Sequence, residues 1–196
     1  MTSRFSRNVP GSTERLRSKC VGVAGLGGLG SNAAISLARA GVGRLILVDD
    51  DVVEESNLNR QHYFLPDVGR RKIDALSDHL RSIDPSIAIT AHFARITPEN
   101  VPDIFGPADL LLEAFDRAES KRWLIGAWCA SFPRRPIVCG NGLSGLGRTE
   151  DLEVRRIGNV TFCGDGETEM ALGLCSARVA IVANMEANVA IERLLE

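Results

Sequence analysis

The stretch CVGVAGLGGLG, residues 20–30, decides the fold. An apolar run ends there at Gly25, Gly27 and Gly30, which is typical of a buried strand that turns sharply into a helix. The first glycine permits the tight turn, the second lets a phosphate approach the backbone, and the third lets the helix pack closely on the strand. Backbone N–H groups at the helix start then face an anion. The stretch predicts a nucleotide site in which Gly28 is a further contact, although NAD, FAD and ATP sites all share this pattern.

Strand-like apolar runs alternate with helical patterns along the rest of the chain. Strands are expected at 44–50, 86–93, 108–114 and 136–141, a strand or hairpin at 152–162, and helices at 31–41, 70–83, 118–131 and 175–195. Because parallel strands need crossover connections, this alternation predicts a doubly wound α/β fold: a mostly parallel, Rossmann-like sheet with helices on both faces. We expect one domain, residues 1–196, in which residues 1–19 form an N-terminal arm and a short helix.

The composition excludes several classes of protein. Hydrophobic residues make up 44% of the 196 residues and charged residues 24%, with a net charge of -2 and a pI near 6.0. Neither disorder nor a broadly basic nucleic-acid surface is indicated, and no apolar run reaches the roughly 18 residues of a membrane span. We therefore expect a cytoplasmic protein that binds neither membrane nor nucleic acid. Five cysteines without a C-x-x-C pair indicate reduced thiols and no structural zinc.

An acidic residue closes the second predicted strand. Asp49 follows Gly25 by 24 positions, and an acid about 20 residues on commonly accepts hydrogen bonds from a nucleotide ribose. The alternative is a solvated acid within the run DDD, where Asp51 is the next candidate for a nucleotide contact. An NAD dehydrogenase shares this spacing, so the first motif leaves hydride transfer and nucleotidyl transfer open.

The segment ESNLNRQ, residues 55–61, favours a triphosphate. Cleavage between the first and second phosphates develops negative charge on pyrophosphate, and guanidinium and ammonium groups stabilise that charge strongly in a dry site. Arg60 within the segment and Lys72 beyond it are the candidates. The alternatives are an arginine that caps its own loop and a solvated helix lysine.

Together these motifs resemble the ThiF/MoeB family, the adenylyltransferases that activate ubiquitin-like sulfur-carrier proteins and are related to ubiquitin-activating enzymes. The matching stretches are GLGGLG, AGVGRLILVDDDVVEESNLNRQ, GRRKI and DLLLEAFD. The resemblance implies ATP and Mg²⁺ as cofactors and a homodimer, since the family sends an N-terminal arginine into the partner subunit's site. The implied roles are ribose binding by Asp49, phosphate binding by Asn57, Arg60 and Lys72, Mg²⁺ binding by Asp116, and action in trans by Arg7.

Two of these assignments have structural alternatives. A carboxylate at a strand end that faces a triphosphate suits Mg²⁺, but Asp116 also precedes a predicted helix and is a candidate N-cap. Cys163 lies in FCGDGE, where we expect a loop. Some family members use a cysteine to pass on sulfur or an acyl group, so Cys163 is a catalytic candidate with a structural thiol as the alternative.

The leading hypothesis is ATP-dependent adenylation of the C-terminal glycine carboxylate of a small ThiS-like sulfur carrier that ends in Gly-Gly, in thiamine biosynthesis. The carboxylate is ionised at neutral pH, so the attack on the α-phosphate needs no side-chain base. One alternative is adenylation of a tRNA-linked carboxylate, as in a threonylcarbamoyladenosine dehydratase. Another is a module that binds a nucleotide or NAD without turnover.

Overall fold

A computed structural model describes residues 4–168 and 170–196. The strands are β1 (Cys20–Ala24), β2 (Arg44–Val48), β3 (Ala88–His92), β4 (Leu110–Glu113), β5 (Ile137–Gly140), β6 (Glu153–Ile157) and β7 (Val160–Gly164). They form one sheet in the order β3-β2-β1-β4-β5-β7-β6. The pairing of β6 with β7 is antiparallel and the other pairings in the sheet are parallel. The sheet reverses its strand order between β1 and β4, which confirms the doubly wound fold.

Helices cover both faces of this sheet. They are α1 (Ser12–Leu16), α2 (Gly28–Ala40), α3 (Lys72–Ile83), α4 (Val101–Phe105), α5 (Ala118–Ser131) and α6 (Ser176–Leu195). Alternate residues of β1 belong to two separate apolar clusters: Val21 and Val23 pack with α2, α3 and α6, whereas Cys20 and Ala24 pack with α4 and α5. Within the described residues, no helix combines the length and the apolar character needed to cross a membrane.

The glycine loop joins β1 to α2 as the sequence predicts. Gly25 has a φ of 90°, a left-handed conformation that side chains rarely adopt. A Cβ atom on Gly30 would lie 1.9 Å from the backbone oxygen of Gly25, so only glycine lets the helix approach this closely. The first and third glycines therefore have the conformational roles expected of them.

Several element boundaries differ from expectation for identifiable reasons. The helix expected from residue 70 begins at Lys72, because Arg71 is extended and bridges to Val52. The loop expected around Cys163 is wrong: the residue lies on β7, paired with both β5 and β6. The alternative considered for Asp116, an N-cap role, is wrong too, since the N-cap of α5 is Arg117.

Candidate functional site

A cavity of about 1240 Å³ opens at the carboxyl ends of the parallel strands, where doubly wound folds bind their ligands. Most of the predicted site residues line it, although Gly30, Arg7 and Cys163 do not. The lining includes Gly25, Gly27, Gly28, Asp49, Asp51, Asn57, Arg60, Lys72 and Asp116. Residues predicted from four separate segments are thus brought to one cavity.

The glycine loop forms the floor of this cavity. A Cβ atom on Gly27 would meet only the Gln61 side chain, at 3.8 Å, so the backbone at Gly27 is open to a ligand. A Cβ atom on Gly28 would lie 2.8 Å from Val179 of α6 and 3.7 Å from Cγ of Arg60. The loop therefore packs against Val179 and Arg60 at Gly28, while its surface at Gly27 stays accessible to a ligand.

Asp49 stands at the end of β2 beside the glycine loop. Its carboxylate accepts hydrogen bonds from the backbone N–H groups of Leu26, at 2.6 Å, and Asp51, at 2.8 Å. Burial raises the pKa of Asp49 above its usual range, and the nearby charge of Lys72 opposes that shift. A carboxylate has about four acceptor positions, so Asp49 retains capacity for the hydroxyl groups of a ribose.

Lys72 and Asp51 form an ion pair in the cavity wall. Nζ of Lys72 donates to Oδ2 of Asp51 at 2.8 Å, and the lysine side chain is only 7% exposed. The backbone N–H of Lys72 also donates to the Asp51 carbonyl oxygen, at 3.1 Å. Lys72 is therefore not a solvated helix residue. Asp51 holds its ammonium group at the cavity.

Arg60 is held by its own loop and by α2. Its Nη1 donates to the Ser56 carbonyl oxygen at 3.1 Å and to Oδ1 of Asn59 at 2.7 Å. The Asn32 side chain on α2 donates to the backbone oxygen of Arg60 at 2.9 Å. These bonds engage one guanidinium nitrogen and leave the other N–H groups without a partner among the described residues. Arg60 can therefore cap its own loop and contact a ligand at the same time.

Asn57 shapes the same segment from within. Its Oδ1 accepts from the backbone N–H of Glu54 at 3.2 Å, and its carbonyl oxygen accepts from Gln61 at 2.9 Å. The residue is buried but lines the cavity. Gln61, which the sequence analysis did not assign, is buried beside it, and its Oε1 has no hydrogen-bond partner among the described residues.

Asp116 lies on the exposed turn between β4 and α5 and lines the cavity. Its carboxylate makes no hydrogen bond or ion pair with another described residue. The turn is fixed by Glu113, a fully buried acid that accepts from the Phe115 backbone at 2.8 Å and from Nζ of Lys121 at 3.0 Å. Burial raises the pKa of Glu113, and Lys121 opposes that shift. Sequence reasoning missed Lys121, although an acid ending the buried run LLLE signals the need for a partner.

A cluster of three carboxylates and the single carboxylate of Asp116 are the candidates for binding a metal ion at the cavity. Possible ligand atoms of Asp49, Asp50 and Asp51 lie within 4.8 Å of one another. Two of these acids, however, already accept from the Leu26 N–H and from Lys72, so donors compete with a cation there. Asp116 has no such donor among the described residues. A hard cation that also binds substrate phosphates therefore fits Asp116 better.

The cavity continues beyond β5 along a wall that sequence reasoning did not assign. This wall comes from two glycine-containing loops at 141–148 and 164–168, and its lining residues are Asn141, Gly142, Leu143, Ser144, Gly166, Glu167 and Thr168. The first loop contains the stretch NGLSGLGRT, which by itself indicates a turn region. Its closeness to the second loop depends on the pairing of β5 with β7 and is not visible in the sequence.

Two predicted catalytic residues lie away from the cavity. Cys163 is fully buried, and burial raises the pKa of its thiol to about 12, so the thiol is protonated at neutral pH and inaccessible. These features favour the structural alternative for Cys163. Arg7 is exposed on the N-terminal arm, which the Asn8 side chain ties to the backbone oxygens of Arg39 and Ala40 at 3.2 and 3.1 Å.

The fold and the cavity define a doubly wound α/β protein with a glycine-rich loop, an acid at the end of β2 and two cations at one cavity. Comparison with known families makes this class specific. The chain belongs to the ThiF family, whose model matches residues 3–196.

Curated relatives of the chain include longer proteins from fungi, bacteria and archaea. The chain is 42% identical over 130 residues to the adenylyltransferase and sulfurtransferase uba4 of Emericella nidulans, covering 66% of this chain and 27% of the relative. It is 40% identical over 129 residues to the probable adenylyltransferase/sulfurtransferase MoeZ of Mycobacterium tuberculosis, covering 65% and 32%. The SAMP-activating enzyme E1 of Haloferax volcanii is 37% identical over 144 residues, covering 70% and 53%. The matched region thus spans about a quarter to a half of each relative.

Solved structures share the fold at low sequence identity. The E. coli tRNA N6-threonylcarbamoyladenosine dehydratase TcdA, solved in complex with ATP, superposes with a TM-score of 0.87 at 22% identity, covering 98% of this chain and 92% of TcdA. E. coli MccB with ATP gives a TM-score of 0.78 at 19% identity, covering 99% of this chain and 63% of MccB. These similarities confirm the Rossmann-like architecture.

Proposed function

We propose that this protein transfers AMP from ATP to the C-terminal glycine carboxylate of a small ubiquitin-like sulfur carrier and releases pyrophosphate. The observation that carries the proposal is the convergence of Arg60, Lys72 and the unpaired carboxylate of Asp116 on one cavity floored by an open glycine loop. Two relatives named as adenylyltransferases and a third named as a SAMP-activating enzyme support this chemistry. We place the reaction in the cytoplasm and in thiamine biosynthesis.

In the proposed complex the nucleotide lies along the carboxyl ends of β1 and β2. Asp49 accepts hydrogen bonds from the ribose, and the glycine-loop backbone at Gly25, Gly27 and Gly28 approaches the phosphates. Asn57, Arg60 and Lys72 contact the β- and γ-phosphates. The two cations are already held in place, by Asp51 for Lys72 and by the loop for Arg60, so little reorganisation is needed when pyrophosphate charge develops.

The reaction is an in-line displacement at the α-phosphorus. A carboxylate oxygen of the acceptor forms the new P–O bond, the bond from the α-phosphorus to the bridging oxygen breaks, and pyrophosphate leaves with the negative charge. No proton is transferred, since the carboxylate is already ionised. Asp116 would hold Mg²⁺, which when bound supplies charge stabilisation to the phosphates. The contribution of the protein is therefore alignment and electrostatic stabilisation.

The proposal includes a homodimer in which Arg7 contributes to the partner's cavity. Arg7 is exposed and does not line the cavity of its own chain, which accords with action in trans. The acceptor tail would occupy the end of the cavity beyond β5, because the nucleotide takes the end near β1 and β2.

A second candidate function is adenylation of a tRNA-linked carboxylate. It is favoured by the similarity in fold to TcdA, whose structure superposes on 98% of this chain. The pI near 6.0 counts against a tRNA partner, because most nucleic-acid affinity comes from cationic contacts to phosphates.

The decisive experiment offers the acceptors in parallel. The protein is incubated with ATP, Mg²⁺ and either a carrier ending in Gly-Gly, the same carrier with an amidated C-terminus, or tRNA carrying the threonylcarbamoyl carboxylate. ATP–pyrophosphate exchange and the mass of the acyl-adenylate are measured. We expect exchange only with the free Gly-Gly carboxylate. Exchange with the tRNA alone would establish the second function, and tight NAD binding without ATP binding would contradict both.

A further inference from the structure

Arg178 and Asp165 form a buried ion pair behind the far wall of the cavity. Nη2 of Arg178 on α6 lies 2.5 Å from Oδ2 of Asp165 after β7, with side-chain exposures of 4% and 6%. Oδ1 of Asp165 accepts from the N–H groups of Glu167 and Thr168, each at 2.9 Å. Burial alone would raise the pKa of Asp165, but these bonds and Arg178 hold it below its usual range. The pair is thus ionised and hydrogen-bonded, as a buried ion pair must be to persist.

The pair secures both loops that form the wall. Nη1 of Arg178 donates to the carbonyl oxygens of Gly147 and Arg148 in the first loop, while Asp165 belongs to the second. The loops are also joined directly: Oγ1 of Thr168 accepts from the Ser144 N–H at 3.1 Å, and the Asp165 N–H donates to the Gly142 oxygen at 3.0 Å. Removing the pair therefore releases the wall from α6 without removing the contacts between the loops.

The next residue on α6 contacts the opposite side of the cavity. Val179 packs on the glycine loop, where a Cβ atom on Gly28 would lie only 2.8 Å from its Cγ1. The first turn of α6 thus touches the phosphate loop through Val179 and the far wall through Arg178. This one helical turn therefore sets the distance between the glycine loop and the far wall.

We propose that Arg178 and Asp165 are positioning residues that hold the far wall at the distance from the glycine loop at which the acceptor carboxylate meets the α-phosphate. This inference rests on the proposed function, which places the acceptor against that wall. Neither side chain lines the cavity, so their effect passes through the backbone of the two loops. A misplacement of about 1 Å in such a support lowers reaction rates by as much as roughly 100-fold.

The test separates acceptor use from nucleotide binding. Arg178→Met removes the charge, Arg178→Lys keeps it with different geometry, and Asp165→Asn keeps an oxygen for the loop N–H groups. The matched control is Arg81→Met on α3, which removes an exposed arginine whose Nη1 lies 3.7 Å from an oxygen of Asp78. Calorimetry gives the ATP dissociation constant, and carrier-dependent ATP–pyrophosphate exchange gives kcat and the KM for the carrier.

We expect Arg178→Met to lower kcat/KM for the carrier roughly 10- to 100-fold, with the ATP dissociation constant within about twofold of wild type. Arg178→Lys and Asp165→Asn should show smaller losses in the same ratio, and Arg81→Met none. An unchanged kcat/KM for the carrier, or an equal loss of ATP affinity, would overturn the inference. If circular dichroism shows that Arg178→Met does not fold, the two milder variants decide by the same criteria. If none of the acceptors supports ATP–pyrophosphate exchange by the wild-type protein, the proposed function is refuted, and the inference fails with it.

Discussion

Replacing Gly30 by alanine tests the packing of α2 on the glycine loop. The new Cβ atom would lie 1.9 Å from the Gly25 oxygen, whereas an ordinary contact is at least 3.4 Å, so one of the two backbones must move by roughly 1.5 Å. Because the obstacle is backbone, we take the upper end of the overpacking cost, about 3 kcal/mol. Alanine recovers about 1 kcal/mol of helix propensity. The net loss of about 2 kcal/mol corresponds to a Tm decrease of roughly 4–8 °C for a chain of this size.

The same motif provides a matched control at Gly27. Here φ is -77°, and the nearest atom to an added Cβ is the Gln61 side chain at 3.8 Å. Gly27→Ala should therefore change the free energy of unfolding by no more than about 0.5 kcal/mol. The methyl group would, however, stand where a phosphate approaches the backbone. We expect both variants to weaken ATP binding at least about tenfold, and only Gly30→Ala to lower the Tm.

Thermal unfolding without nucleotide and calorimetric titration with ATP measure the two effects separately. A Gly30→Ala protein that unfolds within 1 °C of wild type would refute the packing argument. A Gly27→Ala protein that binds ATP like wild type would refute the phosphate assignment even if the Gly30 result agreed. The pair of variants thus distinguishes a loop that supports the fold from a loop that binds the ligand.

Three further predictions concern acidic residues and a thiol. Asp116→Asn should lower Mg²⁺-dependent exchange at least about 100-fold with little change in Tm, and full activity across a Mg²⁺ titration would contradict the metal assignment. Cys163→Ala should keep most of the exchange activity, because the thiol is buried and protonated; loss of activity at unchanged Tm would restore a catalytic role. Glu186 is a buried acid on α6, and burial raises its pKa well above its ordinary 4.5. The native state therefore binds its proton more tightly, and wild-type stability falls as pH rises above that value. Glu186→Gln should therefore raise the Tm at about pH 8, with the gain shrinking towards pH 5, and equal gains at both pH values would contradict this.

The fold could be predicted where local signals agree. The glycine loop requires a strand, a tight turn and a helix in succession, and α5 has the bounds 118–131 that its pattern indicates. Errors arose where distant segments determine the backbone. The first turn of the expected helix at 70–83 is lost to a bridge between Val52 and Arg71, and Cys163 is strand because β7 is paired on both sides.

The residues of the candidate site also fall into those that could be predicted from the sequence and those that could not. Asp49 could be predicted from its spacing to the glycine loop, and Arg60 and Lys72 from their cationic chemistry and from motifs that resemble a known family. The Glu113–Lys121 and Arg178–Asp165 pairs could not be predicted, since nothing local indicates which charges meet in the interior. Sequence reasoning therefore reaches the groups that would touch a nucleotide but misses those that hold them in position.

The charges around the cavity explain why Asp116 differs from the other acids. Lys72 is buried, and a buried cation without a partner is costly, so Asp51 is needed to hold it near the cavity. Asp49 accepts from the Leu26 N–H, and Glu113 accepts from Lys121, so each of these carboxylates already has a donor. Asp116 is exposed and has no donor among the described residues, although it lies at the same edge of the sheet. A carboxylate without a donor, in the same cavity as Arg60 and Lys72, is suited to a cation that arrives with the triphosphate. Its substitution should therefore affect Mg²⁺-dependent exchange rather than stability.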